Sequence, residues 1–357
     1  GISDPVPDEF DAKKDTYSDI IRDLLKPLHI SPGRVTCLVS VKPAVTNFYS
    51  GFHGGAIAAV AEAVSMACAR TLVAKDKELF LGELSISYLS SATKNEEVIV
   101  DASVVRSGRN LSVIALEWKL KKTGRLVYTA RATFYHTPTA VAKLYLLMGL
   151  VFRRDMNTKM AKPSGAFSST AIISEDFPPQ HLNQVVCFLH RVGISDPIPD
   201  RCNTKDYHSA LIHGILKPLH IRKGRVTCLV SVKPAVAVIF RCLFSSFFVS
   251  TFAFHFVMNV QNIRGGFHGG AIAAVAETVS IACARTVLAE DKEIFLGELS
   301  ISYLSAAPKN AELIGEGSVV KSGRNLSVIA VDFKLKETQQ LAYTARATFY
   351  HTPIAKL

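Results

Sequence analysis

Two short stretches of this 357-residue chain carry residues that could do chemistry, and they are the same stretch written twice. Gly51-Phe52-His53-Gly54-Gly55 runs into Ala56-Ile57-Ala58-Ala59-Val60-Ala61-Glu62, and every letter returns from Gly266 to Glu277. The pattern predicts a loop that turns into a helix at His-Gly-Gly, apolar to about Ala74 with only Glu62 and Arg70 charged. A helix that is apolar all round is a buried one. An ionised carboxylate there costs several kcal/mol unless it is paired or hydrogen-bonded, on the order of the desolvation penalty. Glu62 is therefore either a buried acid satisfied by nearby donors or a catalytic carboxylate with a perturbed pKa.

The other end of the helix favours the second reading. First-turn N–H groups have no intrahelical partner and stabilise an anion, and glycine lets a ligand's atoms come close. Oxyanion donors and a buried carboxylate are the parts of an acyl-transfer or hydrolysis site. Yet Gly54 and Glu62 are separated by about 12 Å along a helix axis, at 1.5 Å per residue, so they cannot serve one carbonyl together. Two such helices packed antiparallel about a two-fold bring the Gly end of one beside the Glu of the other. The expected pairs are Gly54 with Glu277 and Gly269 with Glu62.

Several elements must hold this helix. A polar helical stretch ends near Leu25, and Arg34 to Lys42 alternates with Val35, Cys37, Val39 and Val41 on one side, as a strand does. Pro43 ends it, and a loop with Asn47 leads to His53. Four further strand-like runs follow, Phe80 to Leu89, Val98 to Arg106, Asn110 to Lys121 and Leu126 to His136, with Gly-containing turns at Gly108 and Gly124. One buried helix and five strands make an α+β unit whose sheet curls around the helix.

The repeat extends well beyond the helix. Phe80–Ser90 equals Phe295–Ser305, Ser107–Ala115 equals Ser322–Ala330, and Tyr128–Pro138 equals Tyr343–Pro353. The chain divides into a first domain at 1–138, a junction at 139–178, a second domain at 179–353 and a tail at 354–357. The junction reads as two single-domain units joined end to end, with Pro179 to Val192 a helix that the first copy lacks. The second copy carries an apolar insertion at 237–260. Its length approaches that of a membrane span, but Arg241, His255 and its serines argue against one, and it reads as intron-like sequence.

The formal charge of +11 is spread thinly, with no basic run and no nucleic-acid motif, which fits an anionic small molecule at least as well as DNA or RNA, and no nucleic-acid partner is expected. The seven cysteines have no CxxC spacing and read as core thiols. The chain opens on Gly1 rather than Met, with no signal-peptide pattern, so the true start is expected upstream.

Asn47, then His53-Gly54-Gly55, then Glu62, followed by a Ser-Tyr strand and a Ser-Gly-Arg turn, resembles the hotdog-fold acyl-CoA thioesterases. The PaaI-like, acyl-coenzyme A thioesterase 13-like branch is the most similar, in a plant-like version, and the resemblance covers nearly all of both copies. It implies a double hotdog in which a curled antiparallel sheet wraps each long helix and the copies pair within the chain. It implies hydrolysis of fatty, medium- to long-chain, acyl-CoA, with no metal and no cofactor apart from the CoA of the substrate. By the resemblance, the Gly54 N–H and Asn47 polarise the carbonyl, His53 supports the loop and Glu62 activates water. Asn262, His268, Gly269 and Glu277 are the second set.

The family's water-holding Ser has no counterpart at Leu81-Gly82-Glu83, which leaves the carboxylate alone, or another group such as Ser85 or Ser87, to hold the water. The CoA phosphates are expected at Arg106 and Arg109, with Lys321 and Arg324 in the second copy. Tyr88 and Tyr303 are counted with these substrate-binding residues, although Tyr88 and Trp118 also read as core, while His136 and His351 read as surface. The closing Ala355-Lys356-Leu357 resembles the Ser-Lys-Leu peroxisomal address, with the cytoplasm as the alternative. The rival readings are a non-catalytic acyl-CoA-binding module and a thioesterase for an aromatic acyl-CoA. No membrane partner is expected, and further homo-oligomerisation is left open.

Overall fold

The computed structural model describes residues 16–47, 49–74, 77–138, 172–173, 207–233, 236 and 266–353. The opening segment, most of the junction, the helix expected at 179–192, the insertion, Asn262 and the tail with its Ala-Lys-Leu end are outside the described residues.

In chain order the first unit has α1 (Thr16–Leu24), β1 (Leu25–Ser31), β2 (Arg34–Ser40), α2 (Gly54–Arg70), β3 (Lys77–Tyr88), β4 (Glu97–Ser107), β5 (Leu111–Leu120) and β6 (Leu126–Pro138). A short β7 (Ile172–Ile173) precedes the second unit's α3 (Tyr207–His213), β8 (Leu216–Arg222), β9 (Arg225–Ser231), α4 (Gly269–Arg285), β10 (Lys292–Tyr303), β11 (Glu312–Ser322), β12 (Leu326–Leu335) and β13 (Leu341–Pro353). Each unit thus has one strand more than the alternation predicts. The missed strands, β1 and β8, contain Pro27 and Pro218, which read as breakers. Both prolines sit next to a register shift, where a ladder tolerates a residue without an N–H.

The described strands form one sheet in the order β1-β2-β4-β5-β6-β3-β10-β13-β12-β11-β9-β8-β7. Its seam is the antiparallel pair β3–β10, in which Ser85 faces Ser300 and the register is symmetric about that pair. A pseudo-two-fold at the seam therefore relates the units. Val35, Cys37 and Val39 of β2, and Ile114, Leu116 and Trp118 of β5, form buried apolar faces. Trp118 is 0 % exposed, so it is core. The buried thiols of Cys37 and Cys68 are pushed up by desolvation to about 12 and about 11, which keeps them inert.

Helices α2 and α4 are wrapped by this sheet and pack on each other. Their contacts run in opposite senses, Gly55 against Ala274 and Ala59 against Gly270, so the helices are antiparallel. A Cβ on Gly55 would stand 2.3 Å from the Ala274 Cβ, so only glycine permits this approach. Helix α2 is shorter than its apolar run suggests. Thr71 ends it, its N–H donating to the Cys68 carbonyl and its hydroxyl accepting from the Gly33 N–H. Helix α1 buries Tyr17, Ile20, Ile21 and Leu24 at helical spacing. Among the described residues no helix is long and apolar enough to cross a membrane.

Candidate active site

Backbone bonds fix the corner at the start of α2 before any side chain acts. The Asn47 N–H donates to the Gly51 carbonyl (2.8 Å), and the Asn47 Oδ1 accepts from the N–H groups of Tyr49 and Gly51 (both 3.0 Å). Both lone-pair directions of that amide oxygen are thereby spent on shaping the loop. Its Nδ2 is left as the donor. The His53 N–H donates to Val45 and its carbonyl accepts from Ile57, so His53 caps α2 with an extended backbone.

The structure brings Glu277 to this corner. The Gly55 N–H donates to Glu277 Oε2 at 2.8 Å, and a Cβ on Gly54 would collide with the carboxylate at 2.7 Å. The mirrored corner repeats the arrangement. The Gly270 N–H donates to Glu62 Oε2 at 2.9 Å, and Gly269 has the Glu62 carboxylate 2.7 Å from where its Cβ would be. His268 Nδ1 stands 3.3 Å from the same Glu62 oxygen and 3.3 Å from the Gly270 nitrogen. The Gly270 N–H is thus shared between the Glu62 carboxylate and His268 Nδ1, with the 2.9 Å bond to the carboxylate the shorter.

Burial pushes the Glu277 carboxyl above its ordinary value, while the His53 charge and the N–H groups of Gly55 and Gly54 pull it back. A carboxyl whose pKa is higher folded than unfolded prefers its proton in the folded state. The penalty for ionising it appears above the unfolded pKa and grows until the pH passes the folded one. Glu277→Gln is therefore expected to raise the melting temperature at neutral pH, with the gain shrinking as the pH falls through this range. A series of melts at several pH values reads this, and a gain that widens toward acid pH would contradict the burial argument.

Tyr88 and Tyr303, counted among the substrate-binding residues, stand at the corners, away from the basic turns. The Tyr88 hydroxyl donates to the Gly54 carbonyl (3.2 Å) and the Tyr303 hydroxyl to the Gly269 carbonyl (3.1 Å). Burial, with a nearby carboxylate second, holds both phenols well above their ordinary value. They orient the first helical turn. Arg106 and Arg109 stand exposed at the β4–β5 turn, as Lys321 and Arg324 do in the second unit. The turn is tied down by Lys77 Nζ donating to the Arg109 carbonyl, and Lys292 does the same at Arg324 (both 2.7 Å).

Three further placements differ from the sequence reading. Ser85 and Ser87 alternate with the buried Leu84 and Ile86, so they face away from the helix and cannot hold water at the corner. Gly82 sits at a register shift, and the Tyr135 ring covers the direction its side chain would take. His136 is no free surface histidine: its Nε2 is 3.0 Å from the Ser112 hydroxyl, and His351 is 8 % exposed.

Sequence reasoning missed three residues at the corners. The Tyr17 hydroxyl of α1 donates to the Gly55 carbonyl (3.3 Å) while its ring stands 4.9 Å from that of His268. His208 and Ser209 of α3 reach His53. The one available signal was the helical spacing that buries position 17. Among the described residues no group of His, Cys, Asp and Glu could hold a metal ion.

Two buried carboxylates on the N-terminal amides of opposed helices, each pair wrapped by one half of a curled sheet, define the class of hotdog-fold thioester hydrolases. The thioesterase superfamily model matches residues 50–127 and again 265–342, once in each unit. Human acyl-coenzyme A thioesterase 13 is 27 % identical over 103 residues, 29 % of this chain and 73 % of that protein, and the Pongo abelii protein of the same name matches equally. Among solved structures, a hot dog fold protein from Alicyclobacillus acidocaldarius aligns at a TM-score of 0.52 and 12 % identity, covering 93 % of this chain and 98 % of that one. The tesB protein of Mycobacterium avium aligns at 0.50 and 12 %, covering 94 % and 99 %. These two likenesses speak for the double fold alone.

Proposed function

We propose that the chain hydrolyses fatty acyl-CoA, medium to long in chain, to the free acid and CoA at two composite sites. The observation that carries this reading is the Glu277 carboxylate held 2.8 Å from the Gly55 N–H, with Glu62 mirrored on Gly270. The acyl-CoA class is carried over from the relatives, and the chain length rests on the resemblance alone.

The substrate carbonyl competes for the Gly54 N–H, with the Asn47 Nδ2 as second donor, while Glu277 keeps the Gly55 N–H. Water attacks the carbonyl carbon as Glu277 takes its proton. The oxyanion collapses, the C–S bond breaks, and the CoA thiolate leaves with the proton that Glu277 returns. Glu62 acts likewise beside Gly269. For the second site, the resemblance assigns the amide donor's place to Asn262.

Thiol release over a panel of aliphatic and aromatic acyl-CoAs tests this reading. Turnover is expected to peak on medium to long aliphatic chains. Binding without thiol release would favour the acyl-CoA-binding module, a reading supported by the missing hydroxyl at Gly82. The basic turns supply a separate prediction. Replacing Arg106, Arg109, Lys321 and Arg324 by Ala is expected to raise KM about tenfold with kcat little changed, because phosphate contacts there bind ground and transition states alike. An unchanged KM at low salt would remove CoA from that turn.

A further inference from the structure

Two side chains beside Glu277 have no part in the mechanism above. Ser209 Oγ and His53 Nε2 share a hydrogen bond of 3.2 Å, and the His208 ring packs on that of His53 with centroids 4.7 Å apart at 31°. Both come from α3 of the second unit, whereas His53 belongs to the first. At the other corner Tyr17 holds the place of His208, against His268, and Ser18 matches Ser209 in the sequence. The apolar spacing of the two helices explains the exchange. Tyr17, Ile20, Ile21 and Leu24 in one correspond to His208, Leu211, Ile212 and Ile215 in the other, all of them buried. His208 packs on His53 of the opposite unit, whereas Tyr17 lies between the corners, its hydroxyl on the Gly55 carbonyl and its ring against both His268 and His208.

The His53 backbone is already pinned by Val45 and Ile57, so only its side-chain torsions remain to be set. We infer that Ser209 is a positioning residue of the Glu277 site, its hydroxyl and the packed His208 ring fixing the His53 imidazole at the Gly54 corner that holds Glu277. The Glu62 site, built on Tyr17 and His268, is chemically unlike it. This inference rests on Glu62 and Glu277 being the bases of the proposed hydrolysis. Among the groups facing Glu277 are His53 before α2, Tyr17 of α1 and Tyr88 of β3; among those facing His53 are Glu277, His208 and Ser209. Of these, His53 most strongly opposes the effect of burial on Glu277. If the imidazole turns away, the carboxylate holds its proton to a higher pH and the base is lost from the acid side first.

The test is thiol release by the full chain in two backgrounds, Glu62→Gln, which leaves the Glu277 site, and Glu277→Gln, which leaves the Glu62 site. In the first, Ser209→Ala is expected to lower kcat about tenfold, the scale of one lost hydrogen bond, with KM within about twofold. The acidic limb of its pH profile should move to higher pH, and Ser209→Thr, which keeps the hydroxyl, should restore both. In the second background the same substitution should change kcat by less than about twofold. Equal losses in both backgrounds, a loss that Thr does not rescue, or no loss in the first overturns the inference. Melting temperatures of both Ser209 variants separate a folding defect, which would depress both backgrounds alike. A Glu62→Gln, Glu277→Gln chain that keeps the wild-type rate would instead overturn the assignment of the bases, and this inference with it.

Discussion

Replacing both carboxylates at once, Glu62→Gln with Glu277→Gln, is expected to lower kcat for acyl-CoA hydrolysis by about 10² to 10⁴, the contribution of a positioned general base. Glutamine keeps the shape of glutamate and still offers an oxygen to the Gly55 and Gly270 N–H groups, so the corners should stay assembled while the proton acceptor is gone. The comparison with the single variants is informative. If each composite site works alone, either single variant retains the turnover of the untouched site, and only the double variant loses both. Thiol release measured on all three chains, with melting curves to show that they are folded, decides it. A double variant that turns over at the wild-type rate would leave the two carboxylates as buried acids satisfied by amides, which is the alternative their burial alone allowed from the start.

The central helix, the exact repeat and the crossed pairing of Gly54 with Glu277 were legible because each rests on local letters plus one length argument. An all-apolar helix must be buried, and about 12 Å separates its two functional ends, so a second helix is required. Positions whose role depends on a distant element were not legible in the same way. Pro27 and Pro218 hid β1 and β8 because a proline is read as a breaker until the neighbouring register shift is seen. The place of Tyr88 and Tyr303 at the corners is not legible either, since the alternation of a strand shows which face a residue takes but not that its hydroxyl reaches a helix carbonyl 34 residues back in the chain. Tyr17 and His208 looked like ordinary members of an amphipathic stripe. Only the crossing of α1 and α3 to the opposite unit brings them to His268 and His53.

The docking of the two units rests on a contact that a single methyl group should undo. Gly55→Ala together with Gly270→Ala is expected to lower the melting temperature by on the order of 10 °C, taking a few kcal/mol for two overpacked sites and about 2 to 4 °C per kcal/mol for domains of this size. Two effects oppose each other here. Alanine favours a helix over glycine by up to about 1 kcal/mol, so intrinsic propensity alone would make the variant more stable. The contact should win, because the added Cβ atoms would stand 2.3 Å from the Cβ and 2.5 Å from the Cα of Ala274 and Ala59, and backbone cannot rotate aside. The helices must separate, and the carboxylate of one then withdraws from the amides of the other. A displacement near 1 Å is enough to cost about 10²-fold in rate, so thiol release should fall along with stability. Gly108→Ala is the control: its Cβ would meet nothing nearer than the Leu111 carbonyl at 3.8 Å, and neither measurement should move. If the double alanine chain melts at the wild-type temperature, the close approach of α2 and α4 is not what joins the units, and the composite sites lose their structural basis.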